Sequence, residues 1–244
     1  MNLIVDVGNT FVKLAVFSDK DIKFHVSVQQ DDLKDVLNQI IADYPGLSKG
    51  IVSSVGKLKD HFSIFDQFDF SMLRLGRDLK FPFKNNYTTP NTLGVDRIAL
   101  VSAASTKFPN KNVLIIDAGT CITYDFLNTD NEYIGGAISP GLRLRYKSLN
   151  DFTANLPLLN TKLPKNLIGD STDNSIHSGV IYGVVNEING TIEQYKRQCS
   201  DLTVILTGGD SEFLSNQLKN GIFATSNFLL EGLNFILEYN SSYD

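Results

Sequence analysis

An apolar run, Leu3-Ile4-Val5, stops at Asp6-Val7-Gly8-Asn9-Thr10, and the same pattern returns where Val113-Leu114-Ile115-Ile116 meets Asp117-Ala118-Gly119-Thr120. Residues 2 to 7, 11 to 17 and 22 to 28 read as strands joined by short polar turns, as in an antiparallel meander. Leu33, Val36, Leu37, Ile40 and Ile41 then recur at helical spacing; Asp31 or Asp32 can cap that helix, and Pro45-Gly46 closes it. Residues 50 to 55 predict a short buried strand ending in small polar residues, with a helix after Lys57 and a strand around Met72-Leu73-Arg74. The second half repeats the order with strands at 112 to 117, 121 to 127 and 132 to 138, a helical region from Leu142 and a strand at 203 to 206. Asn91 to Phe108 predicts one long helix that Pro109 ends, and Gly179 to Tyr195 and Asn227 to Tyr239 also read as helical.

Three antiparallel strands, a helix and a further strand, given twice, resemble the actin-like ATPase and sugar kinase superfamily. That resemblance implies an α/β fold of duplicated ribonuclease-H-like lobes with nucleotide in a cleft between them. The repeat divides the chain into lobes at 1–111 and 112–244, the second carrying an insertion at 151–200.

Composition narrows the partners. The formal charge of −5 over 244 residues leaves no basic field, which argues against nucleic acid. Cys121 and Cys199 form no metal-like pair and only three histidines are present, so two free thiols in a reducing cytosol are expected rather than a zinc site or a disulfide. Asp6 interrupts the first apolar run, which has no basic leader, and no later run approaches membrane-spanning length. A soluble, cytoplasmic protein without a membrane partner is expected.

Asp6 to Lys13 places a carboxylate, an amide, a hydroxyl and an ammonium around one tight hairpin. Gly8-Asn9 alone could serve only the turn, but the second Asp-x-Gly-Thr favours a phosphate site whose carboxylates meet a hard cation or its waters. Lys13 alternates onto the face of Phe11 and Ala15, and either points into the site or is solvated. Neither a glycine-rich loop ending in Gly-Lys-Ser or Gly-Lys-Thr nor Gly-x-Gly-x-x-Gly is present. Metal ions and backbone amides must therefore offset the phosphoryl charge. Thr92-Leu93-Gly94-Val95-Asp96-Arg97 sets a carboxylate beside a guanidinium at a helix start. Asp96 there can simply favour the helix dipole, or accept a proton from a substrate hydroxyl while Arg97 grips a carboxylate. Gly135 to Leu142 is either a strand-to-helix corner or a place where a ligand approaches. Gly169 to Ile176 is rich in capping residues and can begin the next helix. Thr207-Gly208-Gly209-Asp210 is a further glycine turn leading to a helix that can face an anion. His25, His61 and His177 read as structural.

In order along nearly the whole chain, Asp6-x-Gly-Asn-Thr-x-x-Lys13, Tyr87, Gly94-x-Asp-Arg97, Asp117-Ala-Gly-Thr120, Gly135-Gly-x-Ile-x-Pro-Gly141, Thr153-Ala-x-Leu-Pro157, Gly169-x-x-Thr-x-x-Ser-Ile176 and Thr207-Gly-Gly-Asp210 resemble the type III pantothenate kinases. The resemblance implies ATP-dependent phosphorylation of pantothenate to 4'-phosphopantothenate, the first step of coenzyme A biosynthesis. It implies that Asp6, Val7, Gly8, Asn9, Thr10, Phe11, Val12, Lys13 and Thr120 hold ATP, with Asp6 near Mg2+. Tyr87, Gly94, Val95, Asp96, Arg97 and Thr172 would contact pantothenate, with Asp96 as proton acceptor. Asp117 would bind a monovalent cation, K+ or NH4+. A homodimer is implied, Thr172 completing the pantothenate site of the neighbouring subunit. Cys121 and Val95 stand where alanine is common in the family, and neither removes a functional group. The rival readings are another small-molecule kinase of the superfamily and a non-catalytic regulator that keeps the fold.

Overall fold

Both apolar runs become strands buried along their length, and each lies in a sheet where five strands follow the same order. The computed structural model describes residues 1–8, 11–54, 64–65, 68–199, 201–218 and 221–241. The chain divides into two units, Met1–Pro109 with Asn227–Asp244, and Asn110–Ser226.

In the first unit β1 (Asn2–Val7), β2 (Val12–Ser18) and β3 (Asp21–Val28) form the meander, α1 (Leu33–Asp43) crosses over, and β4 (Lys49–Ser54) and β5 (Ser71–Arg74) follow. The sheet order is β3-β2-β1-β4-β5, with β1 antiparallel to β2 and parallel to β4. A two-residue β6 (Lys84–Asn85) precedes α2 (Val95–Lys107). Strand alternation sorts the side chains of β1. Leu3, Val5 and Val7 enter one core with Leu37 and Ile40 of α1, which leaves Asn2, Ile4 and Asp6 on the opposite face.

The second unit repeats this design with β7 (Asn112–Ala118), β8 (Cys121–Leu127), β9 (Glu132–Pro140), α3 (Leu142–Asp151), α4 (Thr172–Gln198), β10 (Leu202–Thr207), α5 (Ser211–Ser215) and β11 (Ile222–Ala224). Its order β11-β10-β7-β8-β9 mirrors the first, with β7 antiparallel to β8 and parallel to β10. Leu114, Ile116 and Ala118 of β7 share a core with Tyr146 of α3 and Ile181, Val184 and Ile188 of α4.

The last helix, α6 (Phe228–Ser241), groups with the first unit and not with the second as the repeat suggested. It packs on α2, β1 and β4, covering the face of β1 that α1 leaves open. Asn2 Nδ2 donates to Asn234 Oδ1 at 2.7 Å and to Glu238 Oε1 at 2.6 Å, and Lys49 pairs with Glu238 at 3.0 Å. The unit boundary falls at 109/110 rather than 111/112.

Other differences are local. The expected helix 91–108 is a 3₁₀ turn at Pro90–Thr92, an extended Leu93 and then α2, because Gly94 takes an extended backbone (φ −62°, ψ 136°) as the N-cap. Within the insertion at 151–200, α4 starts at Thr172, where the Ser171 side chain accepts from the Asn174 N–H. The helix expected after Lys57 lies outside the described residues.

Gly232 lets α6 approach α2 closely, since a Cβ there would run into the Ala99 carbonyl. Helix propensity favours Gly232→Ala by about 1 kcal/mol, whereas overpacking against a backbone atom costs about 1–3 kcal/mol. Urea unfolding of Gly232→Ala is expected to show a lower midpoint than the wild type; a higher midpoint would mean that the helices are not in close contact.

Candidate active site

At the end of β1 the register sets Asp6 directly opposite Lys13 on β2 and Ser53 on β4. Directly paired residues share a face, so all three side chains lie on the side of the sheet that α2 and α6 cover. This resolves the direction of Lys13. Asp6 is 7% exposed and its pKa is raised from 3.8 to about 6. Burial is the largest cause; Lys13 opposes it, the nearby charge of Asp96 adds to it, and Ser53 eases it. Ser53 nevertheless has no hydrogen-bond partner of regular geometry, so its hydroxyl lies beside the carboxylate without a well-formed bond.

The turn after Asp6 is closed by the Gly8 N–H donating to the Phe11 carbonyl at 3.0 Å. Phe11 is exposed, while Val7 and Val12 are fully buried in the α1 core. A nucleotide could therefore meet Val7 and Val12 only through their backbone. Asn9 and Thr10 lie outside the described residues.

The N-terminus of α2 is built around an absent side chain. Asp96 Oδ1 accepts from the Arg97 N–H at 2.9 Å, and a Cβ on Gly94 would collide with that same oxygen. Gly94 thus lets the Asp96 carboxylate fold back over the helix start, and Val95 is the first helical residue. Arg97 is 5% exposed with its guanidinium 5.6 Å from the centroid of the Tyr87 ring, a cation–π geometry that holds the planar fork in place. Asp6, Lys13 and Asp96 are thereby coupled electrostatically, and Tyr87 and Arg97 are in contact.

In the second unit Asp117 ends β7, paired with Thr123 on β8 and Thr207 on β10. Gly208 (φ +95°) sits so close that a Cβ would overlap both Asp117 Oδ1 and the Ala118 carbonyl. Thr120 is exposed beyond the Gly119 turn, whose N–H donates to the Cys121 carbonyl at 2.9 Å. The glycine segment runs through β9 to the start of α3, with Gly136 against the Tyr124 backbone of β8 and Gly141 against Gly119 and Thr120. Asp210, half-buried, is pushed up by burial against the pull of Arg143, and α5 behind it has only five residues.

Thr172 begins α4 on the rim of a groove of about 680 Å³, whose apolar wall includes Leu149, Leu156, Ile176 and Val180. His177, which offered no partner in sequence, is buried with Nδ1 2.8 Å from the Tyr146 hydroxyl. Also undetected in sequence was Glu187, which accepts from Arg145 and from the Tyr124 hydroxyl. Burial alone would raise Glu187, but these donors and Ser139 hold it low. Among the described residues no three of His, Cys, Asp and Glu gather as a metal site. Magnesium asks for less, one or two carboxylates with substrate phosphates, and Asp6 can supply one. No helix among the described residues is long and apolar enough to cross a membrane.

Two sheets of one strand order, each with an aspartate near the end of its first strand, define the fold. A ROK family glucokinase from Streptomyces griseus, solved with glucose and AMPPNP, aligns over 99% of both chains at a TM-score of 0.52 and 10% identity. A protein of Campylobacter jejuni named after the Baf family of transcriptional activators aligns over 98% of this chain and 99% of its own at 0.67 and 22%. These two show the fold. The family model for type III pantothenate kinase matches residues 2–194. A type III pantothenate kinase of Christiangramia forsetii is 52% identical over 242 residues, covering 99% of this chain and 100% of that one. The chain belongs to the type III pantothenate kinase family.

The raised Asp6 pKa has a stability consequence. The folded state holds this proton more tightly than the unfolded one, so the stabilisation is complete below about pH 4 and is lost as pH rises through about 6. The gap between 3.8 and about 6 corresponds to about 3 kcal/mol. Without nucleotide, Asp6→Asn is expected to melt above the wild type at pH 7.5, the two curves converging near pH 4; a constant gap across that range would contradict the burial of Asp6.

Proposed function

We propose that this chain phosphorylates pantothenate from ATP, opening coenzyme A biosynthesis, with Asp96 accepting the proton of the attacking hydroxyl. The observation that carries the reading is the convergence of Asp6, Lys13 and Asp96 in one unit, with Arg97 braced on Tyr87 alongside. Phosphoryl transfer asks mainly for positioning and charge neutralisation. Asp96, folded back by Gly94, offers a carboxylate oxygen to a hydroxyl, and Arg97 offers a planar fork to the pantothenate carboxylate. Lys13 and the backbone of the 6–13 hairpin bind the phosphates, with Thr120 as a further ATP contact. Asp6 would hold Mg2+ directly or through water, and the ion would supply charge to neutralise the phosphate oxygens.

Asp117 binds the monovalent cation in this reading. The support is local: Asp117 Oδ1 and the Ala118 carbonyl oxygen both lie close against Gly208, and hard cations take oxygen ligands. The homodimer is supported by the exposure of Phe152 (87%), Ile168 (84%), Leu158, Leu163 and Leu167 in the second unit, a set larger than scattered surface apolar residues. Thr172 beside that groove would then complete the pantothenate site of a second copy.

One set of measurements tests the reading. With ATP, Mg2+ and pantothenate the protein should form phosphopantothenate faster in K+ than in Na+ and scatter light with the mass of two chains. Asp96→Asn should keep its melting temperature and ATP affinity while kcat falls roughly 100-fold or more. A near-normal rate in that variant would remove Asp96 as the proton acceptor. Nucleotide binding without turnover by the wild type would favour a regulator.

A further inference from the structure

Ser53 is a fully buried residue on the active-site face whose side chain has chemistry but no assigned use. It is 0% exposed, and its Oγ lies beside the Asp6 carboxylate without a hydrogen bond of regular geometry. A buried hydroxyl left in that state costs about 1–3 kcal/mol. An apolar side chain would suit the position better, because the preceding Ile51 on the same face is fully buried and apolar. Retaining a hydroxyl there makes sense only if a partner is available in some state of the protein.

The neighbour that can become that partner is Asp6. The two residues face each other across the parallel β1–β4 ladder, and the same carboxylate is approached by Lys13 from β2 and by Asp96 from α2. Lys13 and Asp96 act on the carboxylate through charge, which does not fix the orientation of its plane. Ser53 can do so with one directed bond.

We infer that Ser53 is a positioning residue for Asp6: its hydroxyl rotates to donate to one carboxylate oxygen and leaves the other facing a magnesium-bound nucleotide. The inference rests on the nucleotide reading above. It makes the hydroxyl matter for the metal-loaded nucleotide and little for the fold, since a hydroxyl without a well-formed bond contributes little to lose.

Calorimetry with a non-hydrolysable ATP analogue, with and without magnesium, separates the possibilities. Ser53→Ala should keep or slightly raise the melting temperature, bind the magnesium complex about tenfold more weakly, and bind the metal-free analogue like the wild type. Ser53→Thr, which keeps the hydroxyl, should restore affinity to within about twofold, and Ser54→Ala should leave it unchanged. Should Ser53→Ala fail to fold, Ser53→Cys, similar in shape but a weak donor, gives the same comparison. Wild-type affinity for the magnesium complex in either Ser53 variant overturns the inference while leaving the nucleotide reading intact. A wild type that binds no magnesium nucleotide overturns both.

Discussion

Ionising a carboxylate inside a sheet is costly unless a cation meets it, and Asp6 sits where β1 is otherwise wholly buried. Lys13 offsets only part of the cost, while Asp96 adds to it, leaving a group with its pKa near 6. The rest of the first unit follows from keeping that carboxylate in place. The core between β1 and α1 holds Val5 and Val7 rigidly to either side of it, α6 seals the opposite face through Asn234 and Glu238, and the glycine at 94 lets the second carboxylate curl towards the helix start. A site with one lysine and two carboxylates near each other is poor in positive charge, which suits a reaction whose metal ion arrives with the nucleotide.

The second unit uses the same strand order with different emphasis. Its first strand also ends in an aspartate, but the space around Asp117 is shaped by backbone: Gly208 at positive φ, Gly141 against the Gly119 turn, and the Ala118 carbonyl accepting from the Asp210 N–H at 2.9 Å. Each contact is closer than a side chain would permit. Duplication has thus kept the architecture while the two acidic turns differ in surroundings, a lysine and a second carboxylate in one case, glycine backbone and carbonyl oxygen in the other.

Much of this was readable before any coordinates. The meander, the crossover helix and the parallel strand after it follow from periodicity, and the pairing of Asp6 with Asp117 from the echo of apolar run, acid and glycine. What escaped depended on partners distant in sequence. The helix at 228–241 has the same apolar pattern whichever unit it covers, and its contacts with Asn2, Lys49, Ala99 and Lys107 decide the matter. The three-residue β11 exists because β10 supplies its pairing. Gly94 carried the signal for the late start of α2, yet apolar spacing from Leu93 onward masked it. Ser53 looked like the polar end of a strand, because burial of a small hydroxyl leaves no mark in sequence; the Tyr146–His177 contact, 31 residues apart, left none either.

The most direct measurement is of the Asp6 carboxyl itself. Carbon-13 NMR of aspartate-labelled protein, assigned by comparison with Asp6→Asn, should show one carboxyl titrating near pH 6 in the free protein and fully ionised at that pH once magnesium nucleotide is added. An Asp6 that titrates near 4 in the free protein, or that ignores the nucleotide, would contradict the view that burial holds this group ready for a cation.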